Sequence, residues 1–263
     1  MKTRHGPSLA LAAVLALGAC TTGSEAVDAP ASSAPSSSDA GTTAPSETDP
    51  GPQVQDIMEL APFAPLEPGT YSIDPDLDPS TPLRVVYEVP FEGWSMWIGA
   101  AKPADEGHVM VSITTVTNLV RHGCRDHSWA DPPVGPSVDD LAAALADLAP
   151  FRVTSPPTDV TIYGYRGTHL ELTVPDLPVV REGDERRFAR CAGGTLKSWV
   201  AAVDTTPGDA FYGYNGEPGH TEEFWILDVD GTRLVIEANR STASPRKDVA
   251  EMRAILDSIQ IEP

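Results

Sequence analysis

From Phe63 to the C terminus, apolar residues recur largely at every second position, in short runs rich in β-branched and aromatic side chains. Period-two alternation places one set of side chains on a buried sheet face and the other toward solvent. Leu83-Arg-Val-Val-Tyr-Glu-Val89, Trp94 to Gly99 and Val109 to Val116 read as strands; in the last, Val109, Val111, Ile113 and Thr115 share a face. Val160-Thr-Ile-Tyr163 and Thr168 to Val174 form a further pair joined through Gly164 and Gly167, and Leu196 to Val203 is another strand. The clearest hairpin runs from Phe224 to Ala238, where Asp230-Gly231 supplies the positive φ angles of a two-residue turn.

Two segments change to the helical period. Ser137-Val-Asp-Asp140 is a capping-box-like start with Asp in place of Glu, followed by a stripe of Leu141, Leu145 and Leu148. Ser244-Pro245 opens a second helix with proline at its first position and a core face of Val249, Met252, Ile255, Leu256 and Ile259. A short strand, Ile259 to Ile261, returns to the sheet. The pattern predicts the α+β class: an antiparallel β-sheet covered by two or more helices, its consecutive strands joined by hairpins.

The first 62 residues follow neither period. Lys2 and Arg4 precede an apolar run from Leu9 to Leu17, of signal-peptide length and too short to span a bilayer as a helix, which takes about 20 apolar residues. Leu17-Gly18-Ala19-Cys20 resembles the lipobox of bacterial lipoproteins, which implies cleavage before Cys20 and acylation of its sulfur. Residues 1–19 are then the lipoprotein signal peptide. Residues 20–62 are the lipidated cysteine and a tether of Pro, Ser, Ala, Thr, Gly and acidic residues, with no Lys or Arg before Arg84 and no aromatic before Phe63. Such a composition buries too little apolar surface to offset ordering entropy, so a disordered linker is expected, of roughly 35 Å root-mean-square span. Residues 63–263 make a single α+β domain.

Three cysteines stand at 20, 124 and 191. With Cys20 consumed by lipid in an oxidising compartment, Cys124 and Cys191 are expected to pair. The formal net charge of −20 speaks against nucleic acid and anionic lipid surfaces as partners.

Candidate chemistry is sparse. His122-Gly-Cys124-Arg-Asp-His127 crowds two imidazoles, a thiol and a carboxylate, yet fits no zinc-ligand spacing and contains a cysteine that has a disulfide partner. Asp228-Val-Asp230-Gly231 has part of a calcium loop without its remaining ligands and reads as a turn. No Gly-x-Ser-x-Gly is present, and His108, His169 and His220 have no evident partners. Arg181, Arg186, Arg187 and Arg190 share a mixed-charge loop, either solvated or a docking patch for an anionic ligand. Of Trp94, Trp97, Trp129, Trp199 and Trp225, most fall in strands, where core packing is expected before a sugar-binding platform. No catalytic residue, metal ligand or cofactor is assigned, and binding residues stay open.

Cys124-Arg-Asp-His-Ser-Trp129, Gly135-Pro-Ser-Val-Asp-Asp-Leu141, Val160-Thr-Ile-Tyr-Gly-Tyr-Arg-Gly167, Cys191 near Trp199, Trp225-Ile-Leu-Asp-Val-Asp-Gly231 and Leu256-Asp-Ser-Ile259 together resemble a group of secreted actinobacterial domains that includes lipoproteins. More loosely the pattern is similar to the PsbP-like fold, which implies an α/β/α sandwich and a binding or assembly role. The expected function is a lipid-anchored, extracytoplasmic, non-enzymatic binding or assembly module of the cell envelope. Its partners are the membrane, through Cys20, and an envelope protein or small ligand. The alternative is an envelope enzyme or accessory subunit, hydrolase-like or metal-dependent.

Overall fold

The alternation seen in the sequence becomes strand almost wherever it occurs. The computed structural model describes residues 53–104, 107–183, 185–202, 210–215 and 217–263. Chain order runs β1 (Val54–Asp56), a 3₁₀ turn (Ile57–Glu59), β2 (Pro65–Leu66), β3 (Gly69–Ile73), β4 (Arg84–Val89), β5 (Trp94–Trp97), β6 (Gly99–Pro103), β7 (His108–Thr114), β8 (Asn118–His122), β9 (Asp126–Trp129), α1 (Val138–Ala146), β10 (Arg152–Ile162), β11 (Tyr165–Thr173), β12 (Val179–Glu182), β13 (Glu185–Phe188), β14 (Leu196–Ala202), β15 (Ala210–Asn215), β16 (Thr221–Val229), β17 (Thr232–Arg240), α2 (Arg246–Asp257) and β18 (Gln260–Glu262). Cys20 and the segments expected to be signal peptide and tether lie, but for the last residues of the latter, outside the described residues.

An eight-stranded sheet in the order β10-β11-β16-β17-β7-β6-β5-β2 forms the centre, antiparallel throughout. Beside it stand a four-stranded sheet, β1-β3-β4-β18, a second of order β15-β14-β8-β9, and the β12-β13 hairpin. The expectation of a sheet covered by two or more helices is overturned: strand accounts for 49% and helix for 14%, with two α-helices among the described residues, and the fold is largely a β-sandwich. Length explains why. Eight strands about 4.8 Å apart span about 34 Å. The 9 residues of α1 and 12 of α2 reach only about 14 and 18 Å. Neither helix covers the sheet, and other strands take up the remaining apolar surface.

Register shows how the faces divide. Leu170, Phe224, Glu237 and Ser112 lie in one row across β11, β16, β17 and β7. On this face α1 packs near β10, β11 and β16, and β14 approaches further along. The opposite face carries Trp225 and Glu223, both touched by Arg253 of α2, while α2 also packs on β7 and β4. One main core includes the buried residues Trp94, Ile113, Leu141, Leu170, Phe224 and Ile255.

Several local expectations hold and some shift. Asp230 (φ 50°) and Gly231 (φ 90°) form the two-residue turn between β16 and β17. Ser137 caps α1, and the reciprocal bond from Asp140 completes the box. Leu148 lies beyond the end of α1, in a small cluster with Val120 and Val200. Ser244 does not cap α2; its hydroxyl donates to the His108 carbonyl at 2.5 Å, and Pro245 takes the N-cap position. The strand expected from Trp94 to Gly99 reverses at Ile98, where a Cβ on Gly99 (φ 136°) would meet the Val111 carbonyl oxygen at 2.2 Å. The fold also begins before Phe63: β1 pairs in parallel with β3, and Ile57 is fully buried. Composition hid this because Ile57, Met58 and Leu60 are a short apolar patch at the end of a long polar tract, with Asp56 capping the 3₁₀ turn.

Candidate functional site

Two places on the α1 face of the central sheet bring chemistry together. The first is an open cleft of about 840 Å³ between the start of α1, the β10–β11 hairpin and the β16–β17 turn. Asp139, Asp159, Asp228, Arg166 and Arg233 line it. Arg233 is turned into the protein: Nη1 donates to the Gly135 and Ser137 carbonyls at 2.5 and 3.0 Å, and Nη2 to Val116 at 2.9 Å. Its Nε is buried without a hydrogen-bond partner, and burial lowers its pKa against the opposing pull of Asp140. Three aspartates, Asp139, Asp159 and Asp228, outnumber Arg166 and the inward-turned Arg233 in the lining, so the cleft is net acidic. Gly167 lines it too, and a Cβ there would meet the Ile226 carbonyl oxygen at 2.1 Å.

The second place lies at the other end of the same hairpin. The six residue steps from Arg233 to Asn239 on β17 span about 20 Å. There a buried polar chain crosses the interface between the central sheet and β14. Trp199 Nε1 donates to Glu237 Oε2 at 2.9 Å, Asn239 Nδ2 donates to Glu237 Oε1 at 3.4 Å, and His220 Nε2 donates to Asn239 Oδ1 at 2.7 Å. Ser198 Oγ donates to Glu222 Oε1 at 3.3 Å. The register of β14 shifts between Lys197 and Val200, so consecutive residues Ser198 and Trp199 both reach the facing carboxylates. Burial pushes the Glu237 carboxyl up to about 7, against its bonds from Trp199 and Asn239. Burial, with His108 adding to it, pushes the His220 imidazole down to about 3, against the Asn239 bond. His108 is also lowered, chiefly by burial.

Residues distant in sequence meet here. The rings of His108 and His220 lie 4.8 Å apart, and one ligand atom from each of His108, Glu217 and His220 falls within 4.8 Å of the others. On the opposite face, His169 Nε2 bonds Glu223 Oε1 at 3.0 Å and its ring tilts against Trp225 at 5.3 Å. These pairings were invisible in the sequence, where the histidines look scattered.

The other candidates resolve individually. Cys124 and Cys191 form a disulfide with Cα atoms 4.4 Å apart. His122 Nδ1 accepts from the backbone N–H of Cys124 and Arg125, and His127 Nε2 bonds the Gly123 carbonyl at 2.8 Å. Asp228 Oδ1 accepts from Gly231 N at 2.8 Å, as a turn residue. The arginine loop is the β12–β13 hairpin, in which Arg186 pairs with Glu217 at 3.3 Å. Trp94, Trp199 and Trp225 are buried, and Trp97 stacks with the exposed Phe63 at 5.4 Å. Among the described residues no helix is long and apolar enough to cross a membrane.

Comparison with protein-family models, with curated proteins and with solved structures returns no match.

Proposed function

We propose that the chain is a lipid-anchored, extracytoplasmic binding module, held to the membrane through Cys20 and taking a polar, neutral or cationic ligand in the cleft beside α1. The observation that supports it best is the cleft itself: open, and lined by three aspartates against two arginines. The strongly perturbed groups Glu237 and His220 are buried at the far end of the β16–β17 hairpin. A catalytic cleft gathers such groups at its mouth, so their separation favours binding over catalysis. The lipobox-like Leu17-Gly18-Ala19-Cys20 and the Cys124–Cys191 bridge favour an exported protein.

The anchor is tested by metabolic labelling with palmitate and detergent phase partition. Wild-type protein is expected to take up label and enter the detergent phase, and Cys20→Ser to do neither while still folding. An unlabelled wild type would remove the anchor from the proposal. The cleft is tested with a photo-crosslinking amino acid at exposed Thr161, in its lining, and at Glu88 on β4 as control, in envelope-bearing cells. Adducts from position 161 alone are expected; equal yields from both positions sink the cleft assignment.

A further inference from the structure

We propose that His108, Glu217 and His220 form a binding site for one divalent transition-metal cation of the class that favours imidazole ligands, with zinc as the reference ion. Two imidazoles and a carboxylate are a ligand set such ions accept, with three protein ligands leaving one tetrahedral position for water. The candidate atoms lie within 4.8 Å of one another. Ligands on a tetrahedral zinc ion stand about 3.3 Å apart at metal–nitrogen distances of about 2.05 Å, so side-chain rotation closes the gap without moving a strand.

The second observation is an unmet need at His220. The residue is fully buried, its Nε2–H is committed to Asn239 Oδ1, and its Nδ1 has no hydrogen-bond partner. A donor bond from Nε2 fixes the tautomer, leaving a lone pair on Nδ1, the form in which an imidazole ligates. Leaving a buried acceptor unpaired is destabilising, and a cation supplies the missing partner. The orientation of Asn239 is set in turn by its Nδ2 bond to Glu237. A carboxylate acting through an amide on the far nitrogen of an imidazole is the outer-shell support that metal-binding histidines characteristically have.

The backbone fixes both histidines. The His108 carbonyl accepts from Ser241 N and Ser244 Oγ, and its N–H donates to Ser241 Oγ. The His220 carbonyl accepts from Val174 N, and the neighbouring Gly219 N donates back to Val174. Glu217 is the adjustable member, its Oε2 meeting half-exposed Arg186 at 3.3 Å while its other oxygen is left for the cation.

The test uses the full-length chain in detergent, stripped with chelator and titrated with zinc alone against a chromophoric competitor. One equivalent is expected at micromolar affinity or tighter. His108→Ala should weaken it at least 100-fold and Glu217→Gln about tenfold, while the double variant His122→Ala/His127→Ala should bind as wild type. Near-UV circular dichroism checks that His108→Ala is folded, and Glu217→Gln, at the rim, gives a second reading that does not depend on the core. No stoichiometric zinc at micromolar concentration, or unchanged affinity in both the His108 and Glu217 variants, overturns the site.

Discussion

At the scale of single residues, two strongly perturbed groups of the buried polar chain oppose each other as pH changes. Glu237 has its folded pKa raised to about 7, so the fold prefers its protonated form. That contribution is complete below the unfolded value near 4.5 and is lost as pH rises through about 7. His220 has its folded pKa lowered to about 3, so the fold prefers its neutral form. Its contribution is complete above the unfolded value near 6.5 and is lost as pH falls toward 3. Between pH 7.5 and pH 5 the two partly cancel. Glu237→Gln removes the first and leaves the second, so this variant should lose more stability on acidification than wild type, by on the order of 2 kcal/mol. Urea unfolding of metal-free protein at pH 5.0 and pH 7.5 measures it; parallel changes in the two proteins would refute the opposition. None of this was legible in the sequence. His108 and His220 lie more than a hundred positions apart, and only the antiparallel pairing of β7, β17 and β16 sets them side by side. Glu222 and Glu237 look like solvent-facing positions of alternating strands until β14 closes over that face.

At the scale of elements, sequence signals that act within a few residues carried through. Asp230-Gly231 needs only its own φ angles, and the α1 cap needs only Ser137 and Asp140, whose bonds are 3.1 Å in each direction. Ser244 failed as a cap because its hydroxyl is turned away from the helix, accepting from Ser241 N while it donates to the distant His108 carbonyl. The helical covering failed for a related reason: hydropathy periodicity marks which face of a strand is buried, not whether a helix or another sheet buries it. The α1 cap also holds the wall of the cleft, because Arg233 grips the Gly135 and Ser137 carbonyls. Ser137→Ala should therefore cost about 1 kcal/mol in urea unfolding, the usual loss for a capping hydroxyl. Ser137→Asp, which restores an acceptor, should recover most of it. Equal losses from both substitutions would mean that the capping bond contributes nothing here.

At the scale of the whole molecule, the described residues form one compact unit, yet the buried ones divide between a main core and small satellites. One satellite comprises Cys124, Val174, Phe188 and Leu196, far smaller than the core it adjoins. It holds the β12–β13 hairpin and the turn that follows, and the disulfide runs through it, joining the tip of β8–β9 to Cys191. Backbone bonds reinforce the junction, from Ala192 N to Cys124 O at 2.7 Å and from Lys197 N to Gly123 O at 2.9 Å. The bridge closes a loop with a sequence separation of 67 residues. Restricting the unfolded chain by a loop of that length is worth about 4 kcal/mol in the chain-entropy treatment, a large part of the roughly 5–15 kcal/mol that holds a domain folded. Cys124→Ala with Cys191→Ala should therefore lower the unfolding free energy by several kcal/mol. The loss should also be uneven, because the main core shares no buried residue with this satellite. Limited proteolysis should cut the double variant first between residues 175 and 195, while strands β16 and β17 stay protected from hydrogen exchange. An unchanged urea midpoint would show that the satellite cluster holds the hairpin without the bridge. A uniform loss of protection across β16, β17 and the hairpin would show that satellite and core unfold as one unit.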